Sequence, residues 1–109
     1  MMVSFEALEQ GVTLVRLNGR LDAAAAPNFL ARLKASIEEG KTRLALDMAA
    51  VPFIDSTGLG SLVTALKAAR RADGDVRLVS PSQQAQKLLQ LTTLNRVFTI
   101  VETPENAWA

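Results

Sequence analysis

The stretch FIDSTGLGSLV, residues 53–63, joins a strand-like segment to the start of a helix. The preceding apolar run ends at Asp55, while Leu59, Leu62 and Val63 recur at helical spacing after it. Ser56, Thr57 and Gly58 stand between them, Gly60 follows Leu59, and these residues add little bulk to the junction. Because a strand that leads directly into a helix is typical of β-α-β units, this junction indicates an α/β fold.

The rest of the chain continues the alternation of strands and helices. Strands over 3–9 and 12–18 flank Gln10-Gly11, a dipeptide that favours a hairpin turn. The later predicted elements are a helix over 25–39, a strand over 42–48, a helix over 58–72, a strand within 73–80, a helix from 82 to 91, and a strand within 96–102. The order β-β-α-β-α-β-α-β predicts a mostly parallel sheet with an antiparallel N-terminal strand.

The strands alternate in polarity. In the strand over 42–48, one side carries Leu44, Leu46 and Met48, while the other carries Arg43, Ala45 and Asp47. A sheet covered by helices on both faces would show continuous apolar runs instead. We therefore expect helices mainly on one face, a partly open second face, and a single domain over residues 1–109. Trp108 is expected to pack the chain end.

The composition limits the chemistry of the protein. The chain is 49% hydrophobic and 21% charged, with a formal net charge of +1, so no strong field attracts nucleic acid or an anionic membrane. It contains neither cysteine nor histidine, which removes thiolate metal sites and the usual general base. We expect no catalytic residues, no metal or cofactor, no membrane insertion and, since no signal peptide is visible, a cytoplasmic location.

Functional groups gather at the carboxyl ends of parallel strands. Three segments are expected to meet there: residues 19–26, 51–57 and 80–82. Two interpretations of Ser56 remain open at this point. Its hydroxyl could cap the second helix, which is worth about 1 kcal/mol. Alternatively, it is a regulatory hydroxyl, and a phosphate on it would lie at the positive end of that helix.

Two segments of the chain resemble signatures of one family. FIDSTGLGSLV is similar to the phosphorylation motif of the STAS family, specifically of the bacterial anti-sigma-factor antagonists. LNGRLDAAAAPNF, residues 17–29, resembles the second signature of that family, a G-x-L-D step from strand to first helix. The predicted order of elements matches as well, so the resemblance implies a STAS fold over nearly the whole chain.

The resemblance implies a regulator that works by partner switching. The unphosphorylated form would bind an anti-sigma factor that is also a serine kinase of the histidine-kinase-like ATPase fold, and this would free the sigma factor or another sequestered regulator. The kinase would then phosphorylate Ser56 and end the binding, and a PP2C-type phosphatase would reset the protein. The resemblance leaves open whether the chain dimerises.

The implied partner-binding residues are Asp22, Ala23, Ala24, Asp55, Ser56, Thr57, Gly58 and Leu59. Among them, the two acids would shape loops or surface rather than catalyse. Two alternatives assign the chain another role. It could be a phosphorylation-independent accessory or scaffold subunit of a transporter or signalling complex, with Ser56 merely a cap. It could also be a sensor that holds a nucleotide or another anion at the same helix N-terminus.

Two positions depart from the family pattern. The family often has a serine or threonine after G-x-L-D, whereas this chain has alanine at 23–26, so we expect a weaker cap on the first helix. Thr93 stands where a related segment has glycine. Because a β-branched residue resists positive φ, we expect the third helix to end differently.

Overall fold

A five-stranded sheet organises residues 1–108, the part of the chain that the computed structural model describes. Its strands lie side by side in sequence order: β1 Met2–Ala7, β2 Val12–Asn18, β3 Arg43–Ala50, β4 Asp75–Val79 and β5 Thr99–Val101. β1 pairs antiparallel with β2, and the pairs from β2 to β5 are parallel. The predicted fold class and order of strands are confirmed.

Three α-helices connect the parallel strands within residues 1–108: α1 Ala26–Glu38, α2 Ser56–Arg71 and α3 Gln83–Leu91. Pro27 lies in the first turn of α1, and Gly40 follows its end with φ of 90°. The predicted hairpin is confirmed, although β1 ends two residues early. A short 3-10 turn over Glu9–Gly11 lies between the end of β1 and the start of β2.

The main core lies between one face of the sheet and the helices. Every one of the three helices contributes buried side chains to it, as do the predicted inward residues of β3. Its largest fully buried members include Phe29, Leu33, Leu44, Leu46, Met48, Leu62, Leu66 and Leu78. Burying one such side chain stabilises the fold by roughly 1.5–3 kcal/mol. The prediction that helices cover mainly one face is therefore confirmed.

The second face of the sheet is partly covered by the end of the chain. A small apolar cluster joins β2, β3 and β4 to Ala107, and Trp108 packs against it. The guanidinium of Arg77 lies 4.1 Å from the centre of the Trp108 ring and also donates a hydrogen bond of 2.6 Å to the carbonyl of Ala107. Trp108 thus fastens the chain end, as predicted from the sequence.

The start of α1 has the weak cap that was expected from the alanines at 23–26. The N-cap residue is Ala25, which offers no side-chain hydrogen bond to the helix. Asp22 replaces part of the missing cap, because its Oδ1 atom accepts a hydrogen bond of 3.1 Å from the Ala25 backbone N–H. The carboxylate therefore shapes the loop between β2 and α1.

The expectation for the end of α3 is wrong. Thr93 adopts the left-handed conformation, with φ of 59° and ψ of 10°, so the helix ends as it would with glycine at this position. The Thr93 hydroxyl donates a hydrogen bond of 2.6 Å to the carbonyl of Thr92. The tertiary structure here overrides the preference of a β-branched residue for negative φ.

Candidate functional site

Two of the three segments predicted to meet at the carboxyl edge of the sheet are joined by backbone hydrogen bonds. Leu21 and Ile54 form an isolated parallel bridge beyond the ends of β2 and β3. The Leu21 N–H donates to the carbonyl of Phe53 at 3.0 Å, and the Asp55 N–H donates to the carbonyl of Leu21 at 3.3 Å. The bridge therefore brings the G-x-L-D step next to the serine motif.

Beyond the third predicted segment, residues 80–82, lies a residue of the site that the sequence analysis missed. The side chain of Gln84, in the first turn of α3, makes two hydrogen bonds to the backbone of Ile54. Gln84 is one of four glutamines between residues 83 and 90, and no pattern in the sequence distinguishes it from the others. Only the fold shows which of them faces the serine motif.

The carboxylate of Asp55 holds both loops at once. Its Oδ1 atom accepts a hydrogen bond of 2.7 Å from the Gly58 N–H, which makes Asp55 the N-cap of α2. Its Oδ2 atom accepts a hydrogen bond of 3.0 Å from the Ala23 N–H. The helix therefore begins at Ser56 rather than at the predicted residue 58, and the interpretation of Ser56 as the N-cap is wrong.

The hydroxyl groups of Ser56 and Thr57 are not used for capping. Both residues are exposed and occupy the first two positions of α2. Their backbone N–H groups belong to the first turn of a 16-residue helix, where no intrahelical acceptor exists and the helix dipole is positive. An anion attached to this end of the helix would find a favourable field.

Gly58 and Leu59 lie beneath the surface rather than on it. A Cβ atom on Gly58 would stand 2.0 Å from the carbonyl oxygen of Leu21, so only glycine allows α2 to approach the neighbouring loop this closely. Leu59 is 5% exposed and belongs to the core. These two implied partner-binding residues therefore support the site from below. The other glycine of the motif, Gly60, has free space beside it. A Cβ atom added there would have no neighbouring atom within 4 Å among residues 1–108.

The surface beside Ser56 combines small side chains with one pair of charges. Ala23 and Ala24 are exposed, and Asp22 is half-buried next to them. The Arg20 guanidinium lies 3.6 Å from an Asp22 carboxylate oxygen and 4.4 Å from the centre of the Phe53 ring. Arg20 therefore lies between the two loops, with its guanidinium against both Asp22 and Phe53.

Residues 1–108 also lack two features that would indicate a metal site or a membrane span. No group of three or more acidic side chains is arranged to hold a metal ion. No helix in the same part of the chain has the length and apolar character needed to span a membrane.

Comparison with known proteins identifies the family. The family model of the STAS domain matches residues 7–107. A Thermotoga maritima relative, described as a candidate anti-sigma factor antagonist, is 34% identical over 71 residues, which cover 65% of this chain and 63% of that protein. The anti-sigma-B factor antagonist of Staphylococcus epidermidis is 30% identical over 91 residues, which cover 84% of each chain.

Solved structures agree with this match. A crystal structure of a candidate anti-sigma factor antagonist from Thermotoga maritima superposes with a TM-score of 0.90 at 27% identity, covering 96% of this chain and 90% of that one. The phosphorylated form of the Bacillus cell fate determinant SpoIIAA, at 24% identity and a TM-score of 0.76, shares the fold and covers 97% and 96%. The match over residues 7–107, together with these shared folds, shows that the chain belongs to the STAS domain family.

Proposed function

We propose that this protein is an anti-sigma-factor antagonist whose binding is controlled by phosphorylation of Ser56. The observation that carries the proposal is the exposed Ser56 hydroxyl at the first position of α2, left free because Asp55 caps the helix. The names of the relatives support the class of partner. The unphosphorylated form would bind an anti-sigma factor and so release the sigma factor or another sequestered regulator.

A phosphate on Ser56 would change the surface in two ways. It would add about −1.5 to −2 charges and three acceptor oxygens to a region of exposed alanines. It would also place this charge near the carboxylates of Asp22 and Asp55, which belong to the same pair of loops. A partner packed closely on the alanines would then lose contact. A loss of about 3 kcal/mol weakens binding by roughly a hundredfold, which is enough for a switch.

The family resemblance supports the remaining parts of the proposal. The partner would be a serine kinase of the histidine-kinase-like ATPase fold, and a PP2C-type phosphatase would remove the phosphate. We infer a binding role rather than an enzymatic one, since the chain has no histidine and both carboxylate oxygens of Asp55 accept backbone hydrogen bonds. The protein would act as one STAS domain over residues 1–109, in the cytoplasm.

The alternatives have less support. The accessory-subunit interpretation treated Ser56 as a helix cap, and that role belongs to Asp55. The anion-sensor interpretation needs free N–H groups at the start of α2. Asp55 already engages one of them, on Gly58, so the carboxylate competes with any free anion at this helix end.

Matched variants test the proposal. Ser56→Asp should lose the partner in affinity capture from the native host, whereas Ser56→Ala should keep it and resist release by ATP. Thr64→Asp is the control, because Thr64 is exposed on the same helix two turns beyond Ser56. The captured protein, identified by mass spectrometry, should have the histidine-kinase-like ATPase fold. If Ser56→Asp retains this partner as well as Thr64→Asp does, the switch is wrong.

A further inference from the structure

We infer that Gln84 of α3 positions the Ser56 segment by holding the peptide groups of Ile54 from the side opposite Leu21. The regulatory meaning of this contact rests on the proposed function, while the contact itself does not. Gln84 is therefore assigned as a positioning residue, acting on Ser56 through Ile54 and Asp55.

The contact has the geometry of a strand neighbour. The Ile54 N–H donates a hydrogen bond of 2.9 Å to Oε1 of Gln84, and Nε2 of Gln84 donates one of 2.8 Å to the Ile54 carbonyl. A carboxamide carries a donor and an acceptor side by side, as a peptide group does. One side chain thus satisfies both backbone groups of a residue that is 2% exposed.

The sheet explains why a side chain is needed here. The pairing of β3 with β4 ends at Asp47 and Val79, before the chain reaches Ile54. On the other side, Leu21 continues as a bridge partner through its own backbone. Without Gln84, the Ile54 peptide groups would be buried with no partner on the β4 side. An unsatisfied buried polar group is costly, so the carboxamide takes the place of the missing strand.

Gln84 is itself held in a fixed position. The Ser82 hydroxyl caps α3 by accepting a hydrogen bond of 3.1 Å from the Ala85 N–H. Ala85 and Leu89 are buried in the core at 1% and 2% exposure. The first turn of α3 therefore has little freedom to shift. The position of Ile54 is set by a rigid helix on one side and by the Leu21 loop on the other.

Asp55 links the position of Ile54 to that of Ser56. Asp55 follows Ile54 directly, and its carboxylate must meet the N–H groups of Gly58 and Ala23 together, at 2.7 and 3.0 Å. A shift of Ile54 would move this carboxylate away from at least one donor. The start of α2, and with it the position of Ser56, would then no longer be fixed.

Two substitutions separate hydrogen bonding from packing. Gln84→Met keeps a similar length and volume but makes neither hydrogen bond. Gln84→Glu keeps an acceptor for the Ile54 N–H but, when ionised, places a carboxylate oxygen against the Ile54 carbonyl. Gln83→Glu is the matched control, since it adds the same charge on the adjacent exposed residue of α3.

Amide hydrogen exchange measured by NMR tests the contact without any partner. In Gln84→Met the Ile54 amide should exchange about tenfold faster than in the wild type, while the amides of Leu46 and Leu78 in the core keep their rates. In Gln83→Glu the Ile54 amide should stay protected. An unchanged Ile54 rate in Gln84→Met, or an equal acceleration of all three amides, would overturn the inference.

The regulatory consequence is measured in the native host. The fraction of chain phosphorylated at Ser56 should fall at least about threefold in Gln84→Met and Gln84→Glu, and stay at the wild-type level in Gln83→Glu. Wild-type levels in both Gln84 variants would refute positioning of Ser56. If the wild-type chain itself is never phosphorylated, the proposed function fails, and the exchange rates alone decide the Gln84 contact.

Discussion

The carboxylate of Asp55 accepts a hydrogen bond from the backbone N–H of Ala23, which lies 32 residues earlier in the chain, at 3.0 Å. Its other oxygen caps α2 through Gly58. One side chain therefore joins the two family signatures into a single surface. Because the same group caps the helix, the neighbouring Ser56 hydroxyl is free to serve a regulatory role.

Removal of the Asp55 carboxylate should destabilise the fold. Asp55→Ala loses the helix cap and the bond to Ala23, so we expect the free energy of unfolding to fall by about 2 kcal/mol. Asp22→Ala is the comparison, because the Asp22 carboxylate accepts one hydrogen bond, from the backbone N–H of Ala25. This variant should lower the free energy of unfolding by about half as much. Urea unfolding monitored by circular dichroism measures both. Equal losses in the two variants would contradict the double role of Asp55.

Two glycines of α2 should respond to alanine in opposite directions. Gly58→Ala places a methyl group against the carbonyl of Leu21, and we expect it to lower the free energy of unfolding by about 1–3 kcal/mol. Gly60→Ala adds a methyl group in open space within a helix, which should raise it by about 0.5–1 kcal/mol. Chemical denaturation of the two variants checks the signs. Stabilisation by Gly58→Ala would refute the close approach of α2 to Leu21.

The left-handed Thr93 offers a route to a more stable protein. A non-glycine residue pays conformational strain at φ of 59°, so Thr93→Gly should raise the free energy of unfolding by about 0.5–1 kcal/mol. Thr92→Gly is the control. Thr92 has φ of −95° and its hydroxyl donates to the Leu88 carbonyl, so glycine there should destabilise. Thermal unfolding compares the two, and a lower midpoint for Thr93→Gly than for the wild type would contradict the strain.

Arg32 protects the outer edge of the sheet. It donates a hydrogen bond of 3.0 Å to the carbonyl of Val3 on the edge strand β1, and its guanidinium lies 5.2 Å from the centre of the Phe5 ring. Since unpaired edge strands attract further strands, Arg32→Ala should increase self-association. Lys34→Ala removes the same charge from an exposed position of α1. Sedimentation velocity over a range of concentrations should show dimer only for Arg32→Ala, and identical profiles would refute this role.

The layers of the fold could be predicted because their periodicity is local. Leu44, Leu46 and Met48 alternate with polar or small residues, and a period of two residues marks a strand with one buried face. The same local reasoning failed at the start of α2. Asp55 and Ser56 are both good N-cap residue types, and the N–H of Ala23, far away in sequence, helps to favour the aspartate.

Other features of the site had no local signal at all. Gln84 is distinguished only by its position opposite Ile54, which depends on how α3 docks on the sheet. The burial of Gly58 follows from the close approach of Leu21, which again is a tertiary contact. The motif therefore predicted the junction of strand and helix, while packing determined which of its residues face outward.

The phosphorylation of Ser56 is tested most directly by the intact mass of the protein purified from its native host under several growth conditions, with peptide mapping of residues 53–63. We expect a species heavier by about 80 Da, the mass of one phosphoryl group, that maps to Ser56 and changes in abundance with growth condition. A chain that stays unmodified under every condition, or a phosphate that maps to Thr57 instead, would contradict it.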